Sequence, residues 1–236
     1  MIDFHSHILP AMDDGSGSLA ESLALLRESQ RQGVRVMVAT PHFYAHQNAP
    51  PTFLQRRELA WEVLRPALEP DMPEILLGAE VAYFEGICGV KDLPALCTQG
   101  TGLLLLEMPF CSWNRRICAE LAQLCGQPRL TVLLAHIERY LFMQRQETLE
   151  ELLRQGVLFQ SNAGFFLGRR TRKQAMQMLQ NHEIHVLGSD CHNMGRRPPR
   201  LGEAAKAIAA RLGSEALEQL EFRGRQYLME TEVGAP

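Results

Sequence analysis

Met1-Ile-Asp-Phe-His5-Ser-His7-Ile-Leu-Pro-Ala-Met-Asp13-Asp14-Gly15 is the stretch on which the reading of the fold turns. Its apolar-alternating start predicts a short buried strand. That strand delivers two imidazoles, one residue apart, to its C-terminal end, and paired carboxylates follow before a glycine. Residues i and i+2 of a strand point the same way, so His5 and His7 can grip one cation while the turn beyond brings an aspartate round. His-x-His is also a short pattern that arises by chance, and two solvated histidines explain this stretch alone equally well. The later strands decide between the two readings.

Ser18-Leu-Ala-Glu21 has the form of a capping box and predicts a first helix that stops at Gly33. Val34-Arg-Val-Met-Val-Ala39 is a β-branched run closed by Thr40-Pro41-His42, so a second strand ends at a histidine. Thr52-Phe-Leu-Gln55 predicts the start of a second helix through Trp61 and Leu64. Glu74-Ile-Leu-Leu-Gly-Ala-Glu80 and Gly102-Leu-Leu-Leu-Leu-Glu107 are apolar runs that finish on carboxylates, and Leu130-Thr-Val-Leu-Leu-Ala-His136 finishes on a histidine. Further helices are expected over residues 114–125, from a Thr148-Leu-Glu-Glu151 cap to Gly156, over residues 171–181 and from Leu201 onward. Val157-Leu-Phe-Gln-Ser-Asn162 and His185-Val-Leu-Gly-Ser-Asp190 complete the strands, the last running on into Cys191-His192. Strands alternating with helices, and no linker, predict one α/β domain over residues 1–236, a β/α barrel. Such barrels carry their functional side chains at the C-terminal ends of the strands.

Composition limits the partners. The chain has 236 residues, 46% hydrophobic and 22% charged, and a net charge of -3, so no global basic field points to nucleic acid or an acidic membrane surface. The longest apolar runs, such as Thr101-Gly-Leu-Leu-Leu-Leu, are too short to insert in a bilayer, and no secretory leader is recognisable, so a cytoplasmic location is expected. The six cysteines include no Cys-x-x-Cys pair. Cys111, Cys118 and Cys125 recur at helical spacing and read as a stripe of reduced core thiols rather than disulfides or a thiolate zinc site.

The strand-end donors are His5, His7, Asp14, His42, Glu80, Glu107, His136, Asp190 and His192. Each alone is an ordinary cap or turn former. Gathered on one rim without cations, they would leave like charges and desolvated groups uncompensated, at a cost of roughly several kcal/mol apiece. Divalent ions resolve that conflict. Nitrogen and oxygen donors without sulfur suit Mn, Zn or Fe, and the set is large enough for two or three ions. Close metals polarise phosphoryl oxygens and activate water near neutral pH, which is what phosphoester hydrolysis requires. Arg139, just past His136, and Arg197, past Asp190, lie on rim loops and can fork onto phosphate oxygens. Solvated surface arginines are the plain alternative, and Arg196 stands beside Arg197 as a second candidate.

His-Ser-His-Ile-Leu-Pro with Asp-Asp-Gly, Thr-Pro-His42, Gly-Ala-Glu80, Leu-Glu107-Met-Pro, Ala-His136-Ile-Glu-Arg139-Tyr and Gly-Ser-Asp190-Cys-His192-Asn occur in this order over most of the chain. In these motifs the sequence resembles the polymerase and histidinol phosphatase (PHP) superfamily. Within it, the likeness is to the bacterial manganese-dependent tyrosine-protein phosphatases of the CpsB and YwqE type. The resemblance implies a distorted (β/α)7 barrel of the PHP type with a three-ion site, Mn2+ being the expected metal. It implies that His5, His7, Glu80 and Asp190 hold one ion, that Glu80 bridges to a second held by Glu107 and His136, and that Asp14, His42 and His192 hold the third. Arg139 and Arg197 would be the phosphate-binding arginines. The implied substrate is a phosphotyrosine protein, the Tyr-rich tail of a bacterial tyrosine kinase that controls capsule or exopolysaccharide synthesis. A small phosphomonoester of the histidinol phosphate kind is the alternative.

Other patterns compete. Cys191-His-Asn-Met-Gly-Arg-Arg197 fits the Cys-x5-Arg form of thiolate phosphatases, with Cys191 as nucleophile. However, Pro198-Pro199 follows at once where that loop needs a helix, and alternation points Cys191 away from Asp190 and His192. A non-catalytic metal-binding scaffold would be expected to lack a ligand, and none is missing. Arg169, Arg170, Arg172 and Lys173 mark either an exposed helix start or a receiver for an acidic or phosphorylated peptide. Phe43, Tyr44, Phe165 and Phe166 either wall the site or pack.

Overall fold

The structure, a computed structural model, describes residues 1–229. Its strands are β1 (Ile2–Ser6), β2 (Val36–Ala39), β3 (His42–Phe43), β4 (Glu74–Leu77), β5 (Glu80–Ala82), β6 (Leu103–Glu107), β7 (Thr131–Leu134), β8 (Leu158–Asn162) and β9 (Val186–Gly188). All pairings are parallel, in the orders β1-β2-β4 and β3-β5-β6-β7-β8-β9. The second and third expected strands are each split in two. Pro41, which has no N–H for a ladder, separates β2 from β3, and Gly78-Ala79 separates β4 from β5. Because β2 pairs with β4 and β3 with β5, the two broken strands still run side by side, and the sheet keeps seven tracks.

The curl brings the first and last tracks together. Ser6 bridges to Cys191, His7 N donates to Cys191 O at 2.9 Å, and Asp190 N donates to His5 O at 2.7 Å. The result is the expected α/β barrel, distorted where its strands break. Eight helices surround it among the described residues: α1 (Leu19–Arg31), α2 (Pro50–Leu64), α3 (Arg115–Cys125), α4 (Gln146–Arg154), α5 (Ala163–Leu167), α6 (Arg172–Gln180), α7 (Leu201–Leu212) and α8 (Ser214–Met229). Ser18 caps α1 through Glu21 N, as its motif predicts. The two later caps fall elsewhere. α2 begins at Pro50, where a proline loses no helical hydrogen bond, and α4 begins after Arg145. Cys111 lies before α3 and is exposed, with Cys118 and Cys125 half-buried, so the three do not form a core stripe.

Apolar side chains divide between two clusters. Phe4, Val38, Leu103, Leu105, Leu133, Ala135, Leu158 and Val186 fill the barrel interior, while the opposite faces of the same strands, with Met37, Leu104, Leu106, Val132 and Leu134, pack under the helices. α8 closes one end of the barrel. Tyr227 and Leu228 meet the interior cluster, and Gly224 permits close approach, since a Cβ there would stand 3.0 Å from the Phe4 ring. Charged side chains converge at the other end, where the strands finish. No described helix is long and apolar enough to cross a membrane.

Candidate metal centre

Two departures from regular strand geometry aim the donors inward. In β1 the pairing register with β2 shifts between Asp3 and Ser6. Phe4 therefore joins the interior cluster while the next residue, His5, also faces inward, its Nδ1 3.1 Å from Gln160 Oε1. In β7, Leu133 faces in and Leu134 out, so alternation would turn His136 outward. His136 instead takes a left-handed backbone conformation, φ 34, and its Nε2 reaches Glu80 Oε1 at 2.9 Å. Asp190, φ 53, is left-handed as well. Such backbone is costly for residues other than glycine and tends to persist where a site requires it.

Glu80 is the hub. Its Oε2 lies 3.1 Å from His5 Nε2, 3.2 Å from His7 Nε2 and 3.1 Å from His42 Nδ1, and its Oε1 faces His136. Glu107 Oε1 is 3.4 Å from His136 Nε2. Asp190 Oδ1 stands 3.6 Å from His5 Nε2 and 3.5 Å from His7 Nε2. Asp14, the one exposed donor, reaches His42 at 3.6 Å and His192 at 3.3 Å. All the strand-end donors thus meet on one rim. Three sets are close enough to share an ion: His5, His7 and Asp190; His7, Asp14, His42 and His192; and His42, Glu80 and Glu107.

The hydrogen bonds fix which nitrogen is free. His7 Nδ1 pairs with Asp13 Oδ2 at 2.7 Å, His5 Nδ1 with the Gln160 amide oxygen, and His192 Nδ1 with the Asp190 carbonyl at 3.0 Å. Each Nδ1 is committed to these partners, and each Nε2 is left as the atom that faces the rim and would be offered to an ion once unprotonated. His5 Nε2 and His7 Nε2 face each other at 3.1 Å, and Glu80 Oε2 is buried among three imidazoles without a hydrogen bond. Lone pairs converging in this way fit a shared cation better than they fit one another.

The charge balance points the same way. Burial raises the energy of a charged Glu80 or Asp190, but the surrounding imidazoles, His5 foremost, hold both carboxyls well below the usual range. Burial likewise opposes a charge on His7, yet Asp13, Asp190 and Glu80 outweigh it and raise its pKa well above the ordinary value. His136 is raised to about 9 by Glu107 and Glu80 against its burial. Burial, with His7 and Arg197 nearby, lowers His192 to about 4.

Both arginines reach the centre. Arg139 and Arg197 each donate to Asp190 at 2.6 Å, to opposite carboxylate oxygens, and Arg197 Nη1 lies 2.7 Å from His192 Nε2. Arg196 stays exposed, its backbone N–H on Asn193. Cys191 is fully buried, and that burial pushes its thiol pKa up, which leaves no thiolate nucleophile. Phe43, Phe165 and Phe166 are core residues. Tyr44 stacks on His42 with centroids 5.2 Å apart, and Phe110, 52% exposed, stands over His136 at 6.2 Å.

Some participants carried no clear sequence signal. Asp13 lay in the opening motif beside Asp14, and only the fold separates the one that orients His7 from the one that faces the rim. Gln160 holds His5 and the His136 N–H, and Asn162 donates to Asp190 at 2.8 Å; both are neutral residues of β8.

Fold and donor set define a parallel α/β barrel with a candidate metal-binding rim. The chain belongs to the CpsB/CapC family of capsular polysaccharide synthesis, whose model matches residues 1–230. It is 34% identical over 238 residues to the tyrosine-protein phosphatase CpsB of Streptococcus pneumoniae, covering 93% of this chain and 94% of that protein. It is 31% identical over 224 residues to the tyrosine-protein phosphatase YwqE of Bacillus subtilis (strain 168), covering 91% and 86% respectively. Among solved structures, one described as YwqE from Bacillus subtilis and CpsB from Streptococcus pneumoniae, unique metal-dependent tyrosine phosphatases, superposes with a TM-score of 0.81 at 27% identity. That match covers 98% of this chain and 95% of the other.

Proposed function

We propose that the protein is a metal-dependent protein-tyrosine phosphatase, one catalytic domain over residues 1–236, acting in the cytoplasm on a bacterial tyrosine kinase that regulates capsule or exopolysaccharide synthesis. The observation that carries this reading is the convergence of imidazole and carboxylate donors on Glu80, flanked by Arg139 and Arg197. The residues that would hold ions are His5, His7, Glu80 and Asp190, then Glu80, Glu107 and His136, and finally Asp14, His42 and His192. His42 also lies close enough to Glu80 and Glu107 to join the second group. Mn2+ suits this nitrogen and oxygen set, with Fe or Zn as the other candidates. Bound ions would supply Lewis-acid charge at the phosphoryl oxygens and lower the pKa of water.

The chain's own part is orientation and charge. Arg139 and Arg197 place guanidinium groups at the edge of the donor set, where phosphoryl oxygens would enter. Phe110 and Tyr44 add aromatic surface beside His136 and His42, which suits a phenyl phosphate. That surface favours phosphotyrosine over a small phosphomonoester of the histidinol phosphate kind. The test is steady-state hydrolysis of phosphotyrosine peptides and of histidinol phosphate by metal-loaded protein. The expected result is a kcat/KM higher on the peptide by roughly tenfold or more. A preference for histidinol phosphate would overturn the substrate assignment.

A further inference from the structure

Outside the metal centre, the helices α6 and α7 enclose a groove of about 650 Å³. Arg169, Arg172, Lys173 and Arg211 line it, and its floor includes Met176 and Ala207. All four cations are exposed, and none has a side-chain hydrogen bond or carboxylate partner among the described residues. Exposed cations elsewhere divide, since Arg27, Arg116, Arg154, Arg200 and Arg225 pair with glutamates whereas Arg65, Lys91 and Arg115 do not among the described residues. What sets these four apart is that they gather on one groove. Arg172 and Lys173 also occupy the first turn of α6, with no acidic residue there, against the direction the helix dipole favours. Helix stability therefore does not explain them.

The groove is tied to the centre by short chain segments on both sides. Asn162 holds Asp190 on the rim, and only α5 and Gly168 separate it from Arg169. Arg197 holds the same carboxylate, and α7 starts at Leu201. Chain length alone keeps Arg169 within roughly 25 Å of Asn162, the span of about seven extended residues. We infer that this groove binds an acidic segment of the phosphoprotein substrate, within about eight residues of the phosphotyrosine. The inference rests on the phosphatase reading above. A groove of this volume with Met176 and Ala207 in its floor fits a polypeptide segment. The flanking cations meet its carboxylates, while the net charge of -3 disfavours a long polyanion such as nucleic acid.

The test uses two phosphotyrosine peptides of equal length, one with Glu and Asp in that window and one with Gly and Ser. Metal-loaded protein is expected to show a KM several-fold lower for the acidic peptide, with similar kcat, and high salt is expected to erase the difference. The Arg169→Glu/Arg172→Glu/Lys173→Glu variant should treat the two peptides alike. Lys173→Ala should shrink the difference in the same direction, which covers a triple variant that fails to fold. Fluorescence anisotropy with the unphosphorylated acidic peptide reads the groove without catalysis. Binding there without phosphotyrosine hydrolysis would sink the phosphatase reading and keep the groove. Equal KM values with no anisotropy change would overturn the inference, as would binding to phosphatidylserine vesicles in place of the peptide.

Discussion

At His7 the Nδ1 proton is committed to Asp13, at 2.7 Å, so the opposite nitrogen, Nε2, is the one that faces Glu80 and Asp190. Asp13 does more than orient one ring. Its other oxygen accepts Gly15 N, and His42 N donates to the oxygen that holds His7, so one carboxylate positions two donors. Converting it to an amide keeps the shape and loses the charge that makes the imidazole a strong donor. Asp13→Asn is expected to weaken Mn2+ binding by about ten- to a hundredfold in a calorimetric titration with the fold intact. Unchanged affinity would remove Asp13 from the centre's support. The same reasoning separates the paired aspartates: Asp13 is largely buried beneath the rim, while Asp14, with 66% side-chain exposure, is free to face an ion or substrate.

The strands show what sequence could and could not disclose. Most of the legible donors follow an apolar run in the sequence, because burial of the run fixes the strand and the barrel fixes where its tracks end, while Asp14 lies in the turn after β1. Alternation, however, would have sent His136 outward, and a left-handed turn brings it back. In β1, alternation would have separated His5 from Phe4, and the shifted register keeps both inside. β8 ends on Asn162, with Gln160 before it, and neutral amides in a strand carry no charge signature, although they hold His5, His136 and Asp190 in place. The basic cluster at the start of α6 was legible as a receiver for an acidic peptide, but the groove itself was not, since it exists only where α7 packs alongside. At the end of β9, Gly188 is required by close approach: a Cβ there would fall 2.5 Å from His5 Cβ and 2.7 Å from Gln160 Nε2. Gly188→Ala is expected to destabilise the protein by about 1–3 kcal/mol in urea unfolding and to lower metal content. Wild-type stability and metal content together would contradict this packing.

Across the whole molecule, folding, protons and metal compete for one set of groups. His136 is raised to about 9 from an ordinary 6.5. Its proton therefore stabilises the metal-free fold fully below pH 6.5, and that contribution is lost as pH rises through about 9. A metal takes the unprotonated ring, so its affinity rises over the same window. The gap in Tm between metal-loaded and metal-free protein is expected to widen from pH 6.5 to pH 9, as thermal unfolding can measure, and a constant gap would contradict the shared site. His185, lowered to about 4 chiefly by burial, acts only on the acid side, where its contribution is lost as pH falls below 6.5. The central claim is that hydrolysis belongs to the metal rim and not to Cys191. Phosphotyrosine-peptide hydrolysis should be measured on chelated protein, on the same protein after Mn2+ is restored, and on Cys191→Ser. The account predicts loss on chelation, recovery with Mn2+ and full activity in Cys191→Ser. Activity that survives chelation and disappears in Cys191→Ser would contradict it.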